Sequence, residues 1–387
     1  MLRTKVGTVE LSSPLLLASG HITETSDFYV ETNQLWPVEL SCAGMVTRSL
    51  KEVVPLERAQ TPAPRYAVFD DGKSMLNCEW GNSVPWQYWR DYGVENVKKI
   101  DGRIIISLSG RDITGCARLI EVFDRVKVDA FEINISCSHS GALHGNLNVD
   151  AQHLLELMRK IRPLTKIPIW IKLSFSSSLV YMARMAESLG ADAIVCTNSI
   201  GPGLLIDTES GLPKLGIKDG AGGVTGRAIF PIALNCVYKL AHTIDIPIVG
   251  SGGVTCADDV VQMLMAGASA VQIYTAPALQ GPEFFGKLHC ELEEFFAEHP
   301  QYESVESIIG LTVGKAEKHH FKTPQPTVNQ LLCTKCGACV KACAFDGMRF
   351  SMVGHTFIDP EKCTGCNACV GVCPARAIKA NFERRQS

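Results

Sequence analysis

Eight of the chain's sixteen cysteines fall between Cys333 and Cys373, in two tetrads of the same spacing. They read Cys333-x2-Cys336-x2-Cys339-x3-Cys343 and Cys363-x2-Cys366-x2-Cys369-x3-Cys373-Pro374. Three thiolates this close in sequence wrap one face of an iron–sulfur cubane, while the fourth points away and reaches a neighbouring cluster. The spacing therefore predicts two interlocked [4Fe–4S] sites. Cys333, Cys336, Cys339 and Cys373 would hold one, and Cys363, Cys366, Cys369 and Cys343 the other. Gly337 and Gly365, with the small Ala338 and Ala368, let backbone amides approach inorganic sulfur. Structural zinc sites instead pair two-cysteine knuckles across longer spacers. Such a module moves single electrons, so the rest of the chain should hold a centre that uses them.

The module resembles bacterial two-cluster ferredoxins over about 55 residues, departing from them at Ala344, where proline often follows the fourth cysteine. The other eight cysteines lie singly over residues 1–290. Cys42, Cys78, Cys116, Cys196, Cys236, Cys256 and Cys290 read as reduced core or incidental thiols. Both patterns suit a reducing compartment. A formal net charge of -3 gives no reason to expect nucleic acid or an acidic membrane as partner. No stretch approaches the ~20 apolar residues of a membrane span, and Leu15 to Ala18 is too short for a signal peptide. The expectation is a cytoplasmic enzyme.

Ahead of the tetrads, short β-branched runs alternate with helical patterns, the mark of parallel α/β architecture. Candidate strands are Leu15–Ala18, Ala43–Thr47, Arg103–Ser107, Ala130–Ile135, Pro168–Leu173, Ala193–Thr197, Pro247–Gly250 and Ala270–Tyr274. Eight such runs predict a (β/α)8 TIM barrel over 1–315. Val180–Leu189 and Ala257–Ala266 read as helices stopped by Gly190 and Gly267. The polar, proline-bearing stretch 316–330 reads as a linker, and 331–387 as the ferredoxin-like domain. Polar residues sit at strand ends, namely Ser19, Arg48 and Ser49, Asn134, Lys172 and Asn198. In this fold the C-terminal strand ends form the active-site face.

Several of these residues suggest chemistry by type and placement. Gly250-Ser251-Gly252-Gly253 after strand seven and Tyr274-Thr275 after strand eight stand where this fold commonly binds a phosphate. No GxGxxG appears in a strand–turn–helix context, which favours FMN over FAD or NAD in this chain. Lys172 interrupts an apolar strand, so it must meet a negative partner or lose its charge. The anionic edge of a reduced flavin would be such a partner. Cys137 lies on a loop rich in Gly, Ser and His after strand four. A thiol with an unperturbed pKa near ~8.5 can serve there as a general acid, although a single cysteine is more often structural.

With these pieces in view the barrel resembles the dihydroorotate dehydrogenase superfamily. The whole chain is similar to that superfamily's dihydropyrimidine dehydrogenase branch, in its bacterial NAD-dependent catalytic subunit. The likeness is carried by Asn134-Ile-Ser-Cys137, Ile171-Lys172-Leu173, Thr197-Asn198-Ser199, Gly222-Gly223-Val224-Thr225-Gly226, Gly250-Ser251-Gly252-Gly253 and the tetrads. It implies that Ala18, Ser19, Arg48, Ser49 and Lys172 contact the FMN ring and ribityl chain. Gly223, Gly252, Gly253, Tyr274 and Thr275 would hold the phosphate end. Asn77, Asn134, Asn198 and Ser199 would bind the amide edge of a cyclic substrate, with Cys137 as the acid.

The resemblance further implies flavin-dependent redox chemistry at a C=C/CH–CH bond of a pyrimidine-like cyclic amide. Electrons would pass through two [4Fe–4S] clusters to or from a FAD/NAD(P)-binding partner subunit or a ferredoxin, in a homo- or hetero-oligomer. A dihydroorotate-type dehydrogenase and an electron-transfer subunit with a structural barrel are the alternatives. The chain departs from the family at Ser138, where proline is usual, at Arg48 in place of lysine, and in Ser174-Phe175-Ser176 after Leu173. Three tryptophans, Trp80, Trp86 and Trp89, follow Asn77; packing is their simplest reading, and a pocket wall for a larger or more aromatic substrate is the alternative.

Overall fold

The computed structural model describes residues 1–35, 44–47, 50, 62–79, 84–135, 147–314, 325–352 and 354–380. Contacts divide the chain into two units, Met1–Val313 and Gly314–Ser387. In the first, eight parallel strands close into a barrel. They are β1 (Leu15–Leu17), β2 (Gly44–Val46), β3 (Arg103–Ser109), β4 (Ala130–Asn134), β5 (Ile169–Leu173), β6 (Ala193–Cys196), β7 (Ile248–Ser251) and β8 (Ala268–Ile273). Each pairs with its sequence neighbours, and β8 closes on β1 through Gln272 opposite Leu16. These segments are apolar almost throughout because both faces of a barrel strand are covered.

Successive side chains alternate between the two faces. The outward set, including Leu15, Ile104, Phe131, Ile171 and Ile273, packs against the surrounding helices. Those helices include Ile113–Val126, Leu179–Ser188, Phe230–Ala241 and Ala257–Met265. The first of them is capped by Asp112, whose carboxylate accepts from the Thr114 amide at 3.1 Å, a contact worth roughly 1 kcal/mol.

The inward set begins with an apolar layer. Leu16, Val46, Ile105, Ala130, Trp170, Val195, Val249 and Ala270 fill the lower barrel together with Val6, Val9 and Leu11. Those last three belong to the N-terminal hairpin Thr4–Val6/Val9–Leu11. Two residues further along the strands, on the same face, the layer turns polar, with Ser107, Glu132, Lys172, Thr197, Ser251 and Gln272. The switch places polar chemistry inside the barrel at its C-terminal end.

A four-stranded antiparallel sheet grows from the segments after β2 and β6. Its order is Ile200–Gly203, Gly222–Gly226, Ser74–Asn77, Tyr66–Phe69. None of these four was predicted as a strand. Trp86 and Trp89 are buried, and the Trp89 indole donates to the Glu24 carbonyl at 3.0 Å. Both therefore pack, while Trp80 lies outside the described residues. Of the single cysteines, Cys78, Cys116, Cys196 and Cys236 are buried, Cys256 is half-buried and Cys290 exposed. Cys42 lies outside the described residues.

The second unit is built from two similar halves. The helices Ala338–Lys341 and Ala368–Gly371 each follow a Cys-x2-Cys turn. Met348–Phe350 pairs with Thr356–Ile358, and Thr327–Val328 with Ile378–Lys379. The last pairing corrects the linker expectation at its far end. Thr327 and Val328 fall within the stretch read as linker, yet they form a strand because Ile378 brings the end of the chain back onto them.

Candidate functional site

The polar layer lines an open cavity at the C-terminal mouth of the barrel. Ala18, Ser19, Lys172, Asn198, Ser199, Gly252, Gly253, Tyr274 and Thr275 all line it. Asn134, Asn77 and Gly223 do not, although Asn134 is hydrogen-bonded to the lining residue Asn198. The Asn198 carboxamide donates to Asn134 Oδ1 at 3.3 Å. On the antiparallel sheet, Asn77 donates to the Gly223 carbonyl at 3.1 Å. Arg48, Ser49 and Cys137 lie outside the described residues.

Lys172 is 3% exposed, and its partner is a carboxylate of the chain itself. Its ammonium donates to Glu132 Oε1 at 3.4 Å, to Gln272 Oε1 at 3.3 Å and to Ser19 Oγ at 3.3 Å. Glu132 is fully buried, and accepts in addition from Ser107 Oγ at 2.9 Å and Gln272 Nε2 at 2.8 Å. The flavin is therefore not needed to supply the lysine's negative partner. Burial of a carboxylate is expensive unless it is paired and hydrogen-bonded, and this one is both. Glu132 and Gln272 went unassigned in the sequence reading, yet they carry the same signal as Lys172, a polar residue inside an apolar strand.

Gly253 has φ 79°, and a Cβ there would stand 2.5 Å from the Phe230 amide nitrogen, so glycine lets the turn after β7 pack closely against the chain at Phe230. Ser251, Gly252, Thr225 and Gly226 line the cavity together with Lys172. A lining of hydroxyls, glycine backbone and one lysine suits a flavin mononucleotide. Tyr274 stands at the mouth. Its phenol pairs with His21 Nδ1, and the His21 ring packs on Tyr66 with centroids 5.1 Å apart. His21 and Tyr66 were not singled out from sequence, because only the folded chain brings them beside Tyr274.

In the second unit the tetrads surround two separate cavities. Cys333, Cys336, Cys339 and Cys373 line one, whereas Cys343, Cys363, Cys366 and Cys369 line the other. The fourth cysteine of each tetrad thus faces the cavity of the other. Among the described residues no three His, Cys, Asp or Glu side chains are placed to hold a single metal ion; the thiols ring spaces instead. The Gly347 amide donates to Cys343 Sγ and the Ala377 amide to Cys373 Sγ, each at 3.2 Å. Hydrogen bonds led by the Ala338 amide lower the Cys336 thiol below its ordinary value, whereas burial raises Cys339 and Cys369. Four thiols around a shielded space, with amides aimed at sulfur, fit a [4Fe–4S] cluster.

The profile of the dihydroorotate dehydrogenase family matches residues 1–296. The chain belongs to that family. Two profiles described as 4Fe-4S binding domains match residues 330–346 and 356–379. A dihydroorotate dehydrogenase B (NAD(+)) catalytic subunit of Methanosarcina acetivorans is 33% identical over 312 residues, which take in 79% of this chain and 94% of the relative. The subunit of the same name in Thermococcus kodakarensis is 30% identical over 308 residues, covering 79% of this chain and 96% of that one. The chain is thus a flavin-binding oxidoreductase with an iron–sulfur electron relay. No described helix is long and apolar enough to cross a membrane.

Proposed function

We propose that this dihydroorotate dehydrogenase family member is a dihydropyrimidine dehydrogenase-type catalytic subunit. It exchanges electrons between the C5=C6 bond of a neutral pyrimidine-like cyclic amide and two [4Fe–4S] clusters. The observation that carries the reading is the meeting of the Asn134 and Asn198 carboxamides beside the Lys172 cavity. Two carboxamides at one rim offer donors and acceptors in the alternation that a ring with neighbouring C=O and N–H groups requires. FMN, when bound, supplies hydride transfer at its N5, and the clusters supply one-electron relay.

The chain's own residues bind, orient and protonate. Asn134 and Asn198 hold the ring edge, with Asn77 and Ser199 as further contacts. Lys172, kept in place by Glu132 and Gln272, would offer positive charge to a bound flavin. Ala18, Ser19, Arg48 and Ser49 would hold its ring and ribityl chain. Gly223, Gly252, Gly253, Tyr274 and Thr275 would hold its phosphate end. Cys137 delivers the proton to the carbon beside the one that takes hydride. Electrons enter from a separate FAD/NAD(P)-binding subunit or a ferredoxin.

The printed names of the relatives favour a second reading, a dihydroorotate-type dehydrogenase. Its substrate carries a carboxylate that uracil and thymine lack. The test is an anaerobic single-turnover screen of the reduced holoprotein against uracil, thymine and orotate. Reoxidation of the flavin by uracil or thymine supports the first reading, and by orotate alone the second. Cys137→Ala should keep FMN and iron yet lose ~10²–10⁴-fold in turnover. Normal turnover in that variant would remove Cys137 from the mechanism.

A further inference from the structure

The two halves of the cluster unit can be compared position by position, because their cysteine spacing is the same. Their amide-to-sulfur hydrogen bonds match as well, Gly347 to Cys343 and Ala377 to Cys373, both at 3.2 Å. The residue after the second cysteine is left-handed in each half, with Gly337 at φ 78° and Asn367 at φ 58°. The backbone takes the same kind of path at both positions, and the difference is one side chain. Gly337 contributes only backbone to the wall of the first cavity. Asn367 adds a carboxamide to the wall of the second.

That carboxamide's Oδ1 is shielded from solvent and, among the described residues, has no hydrogen-bond partner. Leaving such a group unsatisfied costs roughly 1–3 kcal/mol, so a partner from outside the protein belongs at this position. The cavity is ringed by Cys343, Cys363, Cys366 and Cys369. Thiolates and inorganic sulfides accept hydrogen bonds and do not donate them. The two ends of a carboxamide exchange by rotation about one bond and are assigned from their surroundings. Facing sulfur, the favoured end is N–H.

We propose that Asn367 tunes the second cluster, its carboxamide N–H donating to a sulfur of the cluster held by Cys343, Cys363, Cys366 and Cys369. A reduced cluster carries one more negative charge than an oxidised one, so the donor bonds it more strongly and raises its potential. The size of one hydrogen bond to a charged acceptor corresponds to about tenfold in the one-electron reduction equilibrium, which is about 59 mV. The first site has glycine at this place and lacks the donor. Lys335 lines the first cavity where Gly365 stands in the second half, and works in the opposite sense. Its ammonium is exposed, however, and salt screens it, whereas a hydrogen bond to sulfur does not depend on ionic strength.

This inference rests on the two-cluster reading, so iron and sulfide are counted first in the anaerobic holoprotein. Fewer than two clusters in the unsubstituted chain would overturn that reading rather than the role of Asn367. EPR-monitored redox titration then follows both midpoints. Asn367→Gly suits the left-handed backbone and should lower one midpoint by about tenfold in the reduction equilibrium, leaving the other in place at low and high salt alike. Asn367→Ala, neutral and without the N–H, should lower the same midpoint. Both clusters present with both midpoints unchanged in these variants would overturn the proposal. If Asn367→Gly loses iron, Asn367→Ala decides by the same criterion.

Discussion

Replacing Lys172 by methionine removes the ammonium from the barrel interior and leaves Glu132 fully buried without its charge partner. At their separation of 3.4 Å, two unit charges attract by about 5 kcal/mol in an effective dielectric of 20. Deleting one member of a buried pair typically costs about 3–5 kcal/mol. Two features place this site at the low end. The contact is longer than a strong charge-assisted hydrogen bond, and Glu132 keeps Ser107 and Gln272 as donors at 2.9 and 2.8 Å. We expect Lys172→Met to cost about 3 kcal/mol, or about 6 °C in melting temperature for a domain of this size. Glu132→Gln strands the lysine instead and also destabilises. The double variant has no charge left to strand and should recover about 2 kcal/mol of the summed losses. Urea unfolding of the flavin-free protein, followed by tryptophan fluorescence, measures all four corners of the cycle. Trp170 lies in the apolar layer below the pair and reports on the barrel core. Losses that add within about 0.5 kcal/mol would refute the pairing as the organising contact of the site.

The remaining expectations are more direct. Anaerobically prepared protein should carry about eight iron and eight sulfide per chain, as two [4Fe–4S] clusters require; two zinc ions without sulfide would contradict it. Cys373→Ser should disturb the EPR signal of the cluster ringed by Cys333, Cys336 and Cys339, because Cys373 faces that cavity, and leave the other signal intact. Gly253→Ala places a Cβ 2.5 Å from the Phe230 nitrogen at φ 79° and forces the turn that lines the cavity to shift, so FMN content should fall well below one per chain; normal flavin content would show that this turn does not hold the flavin. Burial holds the His289 imidazole below its ordinary pKa, outweighing the opposing pull of Glu293. The folded state therefore favours the neutral ring, and its contribution to stability is present above the unfolded value near ~6.5 and lost as pH falls below it. His289→Leu should flatten that acid-side loss in urea midpoints taken from pH 8 to pH 5.

What the sequence disclosed and what it withheld divide along a physical line. Barrel strands were legible because burial on both faces makes them continuous apolar runs, and the tetrads because ligand spacing is a local constraint. Lys172 was legible as an anomaly in its strand, but its partner was not, since Glu132 and Gln272 lie on β4 and β8 and only barrel closure brings them together. A stricter reading of period two would have found them. Lys172, Glu132 and Gln272 each stand two positions beyond a residue of the apolar inner layer, Trp170, Ala130 and Ala270. The antiparallel sheet stayed hidden for the opposite reason. Its strand Gly222–Gly226 is rich in glycine, which reads as loop, yet it pairs with Ser74–Asn77 from far away in the chain. There glycine serves close approach, for a Cβ on Gly222 would meet the Asn77 carbonyl oxygen at 2.5 Å. Of the residues proposed to face the substrate, Asn77 therefore lies on an element with no periodic signature, whereas Asn134 ends a barrel strand that announces itself.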